Sequence, residues 1–186
     1  LGLKRMALYM QFERPLAEAD LEKIRPLVRR RAQREPLQYI VGESEFRGLK
    51  IKVDRRALIP RPETELLVEY AIVACSPSPS RALDLGTGSG AIALALAHEI
   101  PGCAVVASDR SGEALALARE NAALCGLADR LAFVTSDWFE HLAGQAPFGL
   151  IVSNPPYLSE QETAEAAPEV RLFEPKSALT AGDRGL

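Results

Sequence analysis

"LDLGTGSGAIALALA", residues Leu83 to Ala97, is the stretch on which the fold turns. A short apolar run carrying Asp84 meets Gly86, Gly88 and Gly90, and Ala, Ile and Leu alone fill Ala91 to Ala97. The order reads as strand, glycine turn, helix. Glycines at such a turn let the backbone bend sharply and let a ligand come close to the main chain. The spacing is Gly-x-Gly-x-Gly, not the G-x-G-x-x-G of dinucleotide binders. A bare glycine triplet also fits a plain turn. The strand before it, the helix after it and the polar Asp84 at the strand end favour a ligand cradle.

Outward from this stretch the same rhythm repeats. Apolar strand candidates at Ala82–Leu85, Ala104–Ser108, Leu131–Thr135 and Leu150–Ser153 alternate with helices at about Ala91–Glu99 and Gly112–Cys125. That alternation predicts an α/β fold, a parallel sheet with helices on both faces. Upstream, "SPSPS" (Ser76–Ser80) reads as a loop. "IPRPETE" (Ile59–Glu65) opens a helix to about Cys75, with Pro62 at its start and acids in its first turn. Leu49, Ile51 and Val53 alternate with Lys50, Lys52 and Asp54 as a half-exposed strand, and Glu45-Phe46-Arg47-Gly48 supplies the other arm of a hairpin. Leu1 to about Arg34 reads as helical, with Leu21, Ile24, Leu27 and Val28 on one face and Pro26 kinking or interrupting it. Arg29-Arg30-Arg31 reads as a solvated helix end in preference to a binding patch.

Bulk properties narrow the classes. The 186 residues carry a net charge of −3, with 47% hydrophobic and 25% charged residues, so one good core fits and no global field draws the chain to nucleic acid or anionic lipid. Its longest apolar runs are too short to span a membrane. Cys75, Cys103 and Cys125 are odd in number and widely spaced. They argue against a disulfide framework and a zinc site, so no metal is expected, and they favour a reducing, cytoplasmic setting.

The strand ends carry the chemistry. "AVVASD" ends in Asp109, roughly 20 residues past the last glycine, where a carboxylate reaches the hydroxyls of a ribose. Its alternative reading is an N-cap for the helix after Ser111. "SDWF" adds Asp137, which can accept from an exocyclic amine, and Trp138, which offers a flat wall for a purine or else plain core. Ligands of open α/β sheets bind at the carboxyl edge, so an adenosine-containing cofactor is expected there. The fourth strand delivers "SNPPYLSE" (Ser153–Glu160) to the same edge. An amide, two prolines and an aromatic ring exceed what a turn needs. The Asn154 side-chain oxygen and the Pro155 carbonyl can each accept one N–H of a target –NH2, while Tyr157 packs on a planar group.

These residues resemble the class I S-adenosylmethionine-dependent methyltransferases, whose amino-methylating members carry (Asp/Asn/Ser)-Pro-Pro-(Tyr/Phe) at this place. "LIPRPETELLVE", "LDLGTGSGAIALALA", "SDWF", "IVSNPPYLSE" and "EPKSALTAGDRGL", with "ALYMQFERPL" and "PLQYIVGESEF" before them, are together similar to the HemK/PrmC family of peptide chain release factor glutamine methyltransferases. The resemblance implies methyl transfer from S-adenosyl-L-methionine, leaving S-adenosyl-L-homocysteine, to the glutamine side-chain nitrogen of the release factor Gly-Gly-Gln motif. It places the cofactor on Gly86, Thr87, Gly88, Ser89, Gly90, Asp109, Asp137, Trp138 and Asn154. It places the glutamine on Asn154, Pro155, Pro156 and Tyr157, with Asn154, Pro155 and Tyr157 as the catalytic group.

The organisation implied is part of a helical docking domain over 1–42, a β-hairpin linker over 43–58 and the start of a Rossmann-like catalytic domain over 59–186. A sibling family acting on a ribosomal-protein glutamine has Arg-Ser-Pro where this chain has Arg61-Pro62-Glu63, which favours release factors. The full-length enzyme is expected to be a monomer without direct nucleic-acid or membrane contacts. The rivals are a DNA adenine methyltransferase, which would want a basic groove, and a non-catalytic adenosine-binding module. An NAD-dependent dehydrogenase is disfavoured by the glycine spacing. A class I sheet has seven strands and four are readable here, so these residues are expected to be a piece of a longer chain that behaves poorly alone.

Overall fold

The computed structural model describes residues 2–3, 5–75, 79–145 and 147–185. Residues 76–78 of the expected Ser76–Ser80 loop lie outside them. The N-terminal region is three helices: α1 (Arg5–Met10), α2 (Glu18–Ala32) and α3 (Leu37–Val41). The expected single helical run is therefore broken by the turn and extended segment between α1 and α2, where Pro15 stands. Pro26 does not interrupt α2, which runs on through it. The proline removes one backbone hydrogen bond on a helix that buries none of its residues. Arg30 and Arg31 of the basic cluster pair with acids while staying largely in solvent, as a solvated helix end does. Arg30 grips Glu35 in a fork at 2.8 and 2.7 Å, and Arg31 reaches Glu169 at 3.0 Å.

Next comes a hairpin of β1 (Glu43–Phe46) and β2 (Leu49–Lys52). Its two-residue turn, Arg47-Gly48, has φ of 46° and 75°, the primed geometry that matches strand twist. Thus Arg47 and Gly48 are the corner, not part of the arm. Phe46, Ile51 and Val53 sink into the core, and the Arg47 guanidinium pairs with Glu99, tying the corner to the main body.

The main body is a four-stranded parallel sheet in the order β5–β4–β3–β6, made of β3 (Arg81–Leu85), β4 (Ala104–Asp109), β5 (Leu131–Thr135) and β6 (Leu150–Ser153). Three helices accompany it: α4 (Pro62–Ala74), α5 (Ala91–Glu99) and α6 (Gly112–Leu124). Strand periodicity assigns the two faces. Ala82, Val105, Ala107 and Val152 point to the face where Ala91 to Ala97 of α5 are buried, in a core shared with Val68 of α4 and Ala122 of α6. Leu83, Leu85 and Val106 point the other way, where Leu142, Val134 and Phe148 cover them. Among the described residues, then, helices cover one face. The expectation of helices on both is corrected. In its described residues the β5–β6 connection crosses the second face as turns and coil, without a helix.

After β6 come α7 (Glu160–Glu165) and α8 (Pro168–Arg171). Ser159 opens α7 with a capping box, its hydroxyl taking the Glu162 N–H and the Glu162 carboxylate taking the Ser159 N–H. Leu158 then pairs with the chain at Leu179 to Ala181 through two backbone bonds of 3.0 and 2.8 Å. That pairing brings Pro175, Ser177 and Ala178 over the carboxyl edge of the sheet.

Candidate functional site

The carboxyl ends of all four parallel strands open on one cleft of about 170 Å³. One wall is the turn between β3 and α5. Gly86 and Thr87 both donate their N–H to Ser108 O at 2.9 Å, which folds the turn back over β4. Gly86 and Gly88 hold φ of 73° and 55°, values that L side chains rarely adopt. A Cβ built on Gly86 would meet nothing within 4 Å, and one on Gly88 only Ala57 at 3.8 Å. The space above the turn is therefore open for a ligand to lie against main chain.

Gly90 plays another part. It does not wall the cleft, and a Cβ there would stand 3.1 Å from that of Ala118. Its role is close packing of α5 on α6. Asn121, which the sequence reading passed over, fixes the turn from behind. It is fully buried, donates to Ser89 O at 2.9 Å and to Lys52 O at 3.0 Å, and accepts from the Lys52 N–H at 2.8 Å. A lone Asn among Leu115, Leu117, Ala118 and Ala122 on an apolar face was the signal available.

Asp84 sits beneath the turn and out of the cleft. It is wholly buried, and its Oδ2 accepts from the Thr87 hydroxyl at 2.6 Å and from the Ala93 N–H at 3.1 Å. Its Oδ1 has no partner among the described residues. Burial pushes its pKa up to about 7 against the pull of those two bonds, and the Asp109 charge raises it further.

Asp109 ends β4 half-buried at the cleft. Oδ2 takes the Gly88 N–H and Oδ1 the Ser111 N–H, both at 2.9 Å. The cap of α6 is Ser111, whose hydroxyl takes the Ala114 N–H at 3.2 Å. Asp109 is thus a brace between the glycine turn and the β4 end, and carboxylate lone pairs remain for a ligand. Asp137 and Trp138 stand on the far wall, both exposed. Trp138 has φ of 47°, an outlier for so bulky a residue. The buried Ser136 holds it there, donating to Trp138 O at 2.9 Å and accepting from the His141 N–H at 3.0 Å.

Asn154, Pro155 and Pro156 line the floor. The Asn154 Nδ2 donates to the Thr64 hydroxyl at 3.2 Å, across from the first turn of α4. Its Oδ1 carries no hydrogen bond from a described residue. Tyr157 is 61% exposed and stands outside the cleft walls. Next to Thr64, Arg61 grips Glu174 at 3.0 and 2.6 Å, and the Glu174 side chain is 2% exposed. Burial raises the Glu174 pKa, although the guanidinium draws it down. Among the described residues lining the cleft there is no His, Cys or Lys, and its carboxylates are Asp109 and Asp137. No group of His, Cys, Asp and Glu among the described residues could hold a metal ion.

A family model described as "Methyltransferase small domain" matches residues 62–183, the whole of this cleft-bearing region from α4 onward. The chain belongs to the methyltransferase small domain family. A second model, "PrmC N-terminal domain", matches residues 1–42, and the two together bear out the resemblance to the HemK/PrmC family. The chain is 47% identical over 193 residues to the release factor glutamine methyltransferase of Chlorobaculum tepidum, covering 97% of this chain and 65% of that one. It is 46% identical to the protein of that name from Geobacter sulfurreducens, covering 100% and 64%. It is 40% identical to the MTRF1L release factor glutamine methyltransferase of Homo sapiens, covering 98% and 56%. The chain therefore spans less than two thirds of the length of these family relatives.

Among solved structures, the hMettl16 catalytic domain in complex with MAT2A 3'UTR hairpin 6 superposes with a TM-score of 0.58 at 20% identity, over 74% of this chain and 52% of that one. A SAM-dependent methyltransferase from Agrobacterium tumefaciens gives 0.53 at 21%, over 63% and 40%. At these identities the likeness concerns the fold, which is that of class I methyltransferases.

Proposed function

We propose that this chain carries the methyl-transfer site of a release factor glutamine methyltransferase. S-adenosyl-L-methionine is held by Gly86 to Ser89, Asp109, Asp137 and Trp138, and the glutamine carboxamide by Asn154, Pro155, Pro156 and Tyr157. The carrying observation is that Asn154 and Pro155 form the floor of the cleft whose opposite wall is the open glycine turn. The names of the relatives support the substrate. The empty space above Gly86 suits a ligand laid against main chain, and two carboxylates beside it suit a cationic cofactor with a ribose.

When bound, the cofactor supplies an electrophilic methyl group on a sulfonium whose sulfur leaves with the bonding electrons. The chain's own work is orientation. Asn154 Oδ1 and the Pro155 carbonyl accept the two N–H bonds of the glutamine amide, turning its nitrogen toward the methyl group. Pro155 stiffens that carbonyl through its ring. Tyr157, exposed at the rim, covers the planar amide as the substrate enters. The reaction needs no base at Asn154, since the nitrogen can release its proton to solvent once the new C–N bond has formed. Alignment of this kind recovers roughly 7–11 kcal/mol of a barrier.

The test is transfer of a labelled methyl group by the natural protein that contains this chain. Wild-type release factor should be labelled, and a variant lacking the Gly-Gly-Gln glutamine should not. Asn154→Ala should lower kcat by roughly 10²–10³, by comparison with a removed oxyanion-hole donor, while keeping a cooperative melt. Near-normal kcat in Asn154→Ala would defeat this reading.

A further inference from the structure

We propose that Thr64 is a positioning residue for Asn154, its hydroxyl holding the carboxamide nitrogen so that the carboxamide oxygen faces the cleft. This rests on the reading of Asn154 as the acceptor for the target amide.

A carboxamide has two nearly isosteric orientations of opposite polarity, one offering an oxygen acceptor and the other an NH2 donor. The target –NH2 brings donors only. With the oxygen facing it the pair is attractive; with the NH2 facing it two donors meet, and the nitrogen is pushed out of line. The carboxamide must therefore present its oxygen when the target is bound, with its nitrogen held by another partner. Pro155 and Pro156 have no N–H, so the backbone just after Asn154 offers no donor that could capture Oδ1.

The one side-chain partner of Asn154 among the described residues is Thr64 Oγ1, 3.2 Å from Nδ2. A hydroxyl can donate or accept, so Thr64 alone is neutral between the two orientations. The target amide breaks the tie, because only Nδ2 on Thr64 leaves an Asn154 oxygen to accept an N–H of the target. Thr64 is also well placed to be rigid. It is 8% exposed, and its own N–H is bonded to Arg61 O at 3.0 Å. Arg61 is in turn locked to the buried Glu174. The first turn of α4 is thus fixed to the cleft rim, and the hydroxyl it presents to Asn154 is fixed with it.

The experiment compares Thr64→Val, which keeps the shape and removes the hydroxyl, with Thr64→Ser, which keeps the hydroxyl. Both are made in the natural protein that contains this chain. In Thr64→Val kcat should fall roughly 10–100-fold through misalignment of the target, with the KM for S-adenosyl-L-methionine unchanged, and Thr64→Ser should restore most of the loss. A second readout needs no turnover. In nitrogen-edited NMR the Asn154 side-chain NH2 signals, identified by their disappearance in Asn154→Asp, should shift and exchange faster in Thr64→Val and return in Thr64→Ser. Unchanged kcat and unchanged NH2 signals in Thr64→Val would overturn the inference. Equal defects in Thr64→Val and Thr64→Ser would also overturn it, since they report a packing role. Should Thr64→Val fail to fold, Thr64→Ala takes its place under the same criteria. An Asn154→Ala variant made in parallel separates the two levels. If it is active, the glutamine-holding reading fails. If it is dead while Thr64→Val turns over normally, only the role of Thr64 fails.

Discussion

Asp84 is a carboxyl group caught between two demands. Its Oδ2 ties the glycine turn to α5 through Thr87 and Ala93, which is work for an acceptor, yet Oδ1 is buried without a partner. Burial in such a place disfavours charge, so the folded-state pKa rises to about 7. In the unfolded chain an aspartate titrates near about 3.9. A raised acid pKa means that the folded state binds the proton more tightly. The stability Asp84 confers is thus full below the unfolded value and is lost as pH rises through the folded one. Asp84→Asn removes the titration and keeps an oxygen for Thr87 and Ala93. Denaturant melts from pH 4 to 8 should show wild type losing stability relative to Asp84→Asn by up to about 1.4 kcal/mol per pH unit over the lower part of that range. Parallel curves for the two proteins would show that Asp84 is ionised throughout. The position of Asp84 at a strand end was legible in the sequence, but its direction was not. Parity in β3 turns it to the same face as Ala82, under α5, whereas the cleft is lined from the turn that follows.

At the scale of elements, α4 is where the helical register meets the site. Pro62 stands at its first position, and the residue before it, Arg61, is extended and reaches Glu174. Breaking such a pair by removing one partner strands a buried charge, at a cost of about 3–5 kcal/mol, whereas replacing both with apolar groups is often nearly neutral. Arg61→Ala should therefore lower the melting temperature sharply, and an Arg61→Met/Glu174→Leu double variant should recover most of the loss. A single variant that melts with wild type would show that the Arg61–Glu174 pair adds nothing net to stability. The strands and helices of the main body were readable almost residue for residue, because apolar runs there are short and bounded by Gly, Ser or Asp. Helix α2 was not. Its apolar residues describe a helical face, but the structure buries none of them, and Pro26 is accommodated because nothing packs there to be disrupted. The Arg61–Glu174 and Asn154–Thr64 contacts join residues far apart in the chain. No local pattern could have announced them.

For the whole molecule the asymmetry of the sheet decides behaviour. The α5 face is closed by three helices, while Ile151 of β6, on the other face beside Leu83, remains 50% exposed. Strand β6 is also an edge among the described residues, pairing with β3 alone. Parallel sheets are normally covered on both faces, and an open apolar edge strand is a template for further pairing. The sequence reading expected poor behaviour of these residues alone because only four strands of the sheet are readable. The structure adds that the second face is covered over β3 and β4, by Leu142, Val134 and Phe148, but left half open at Ile151 of β6. The 186 residues expressed by themselves should accordingly self-associate through β6. Light scattering and gel filtration across a concentration series should show mass rising with concentration. Ile151→Lys places a charge at a half-exposed position on the edge strand, and inward or edge lysines oppose strand addition. It should return the chain toward monomer without lowering the melting temperature. A wild-type chain that stays monomeric at every concentration, with no gain on adding the lysine, would show that the β6 edge and its face are already protected.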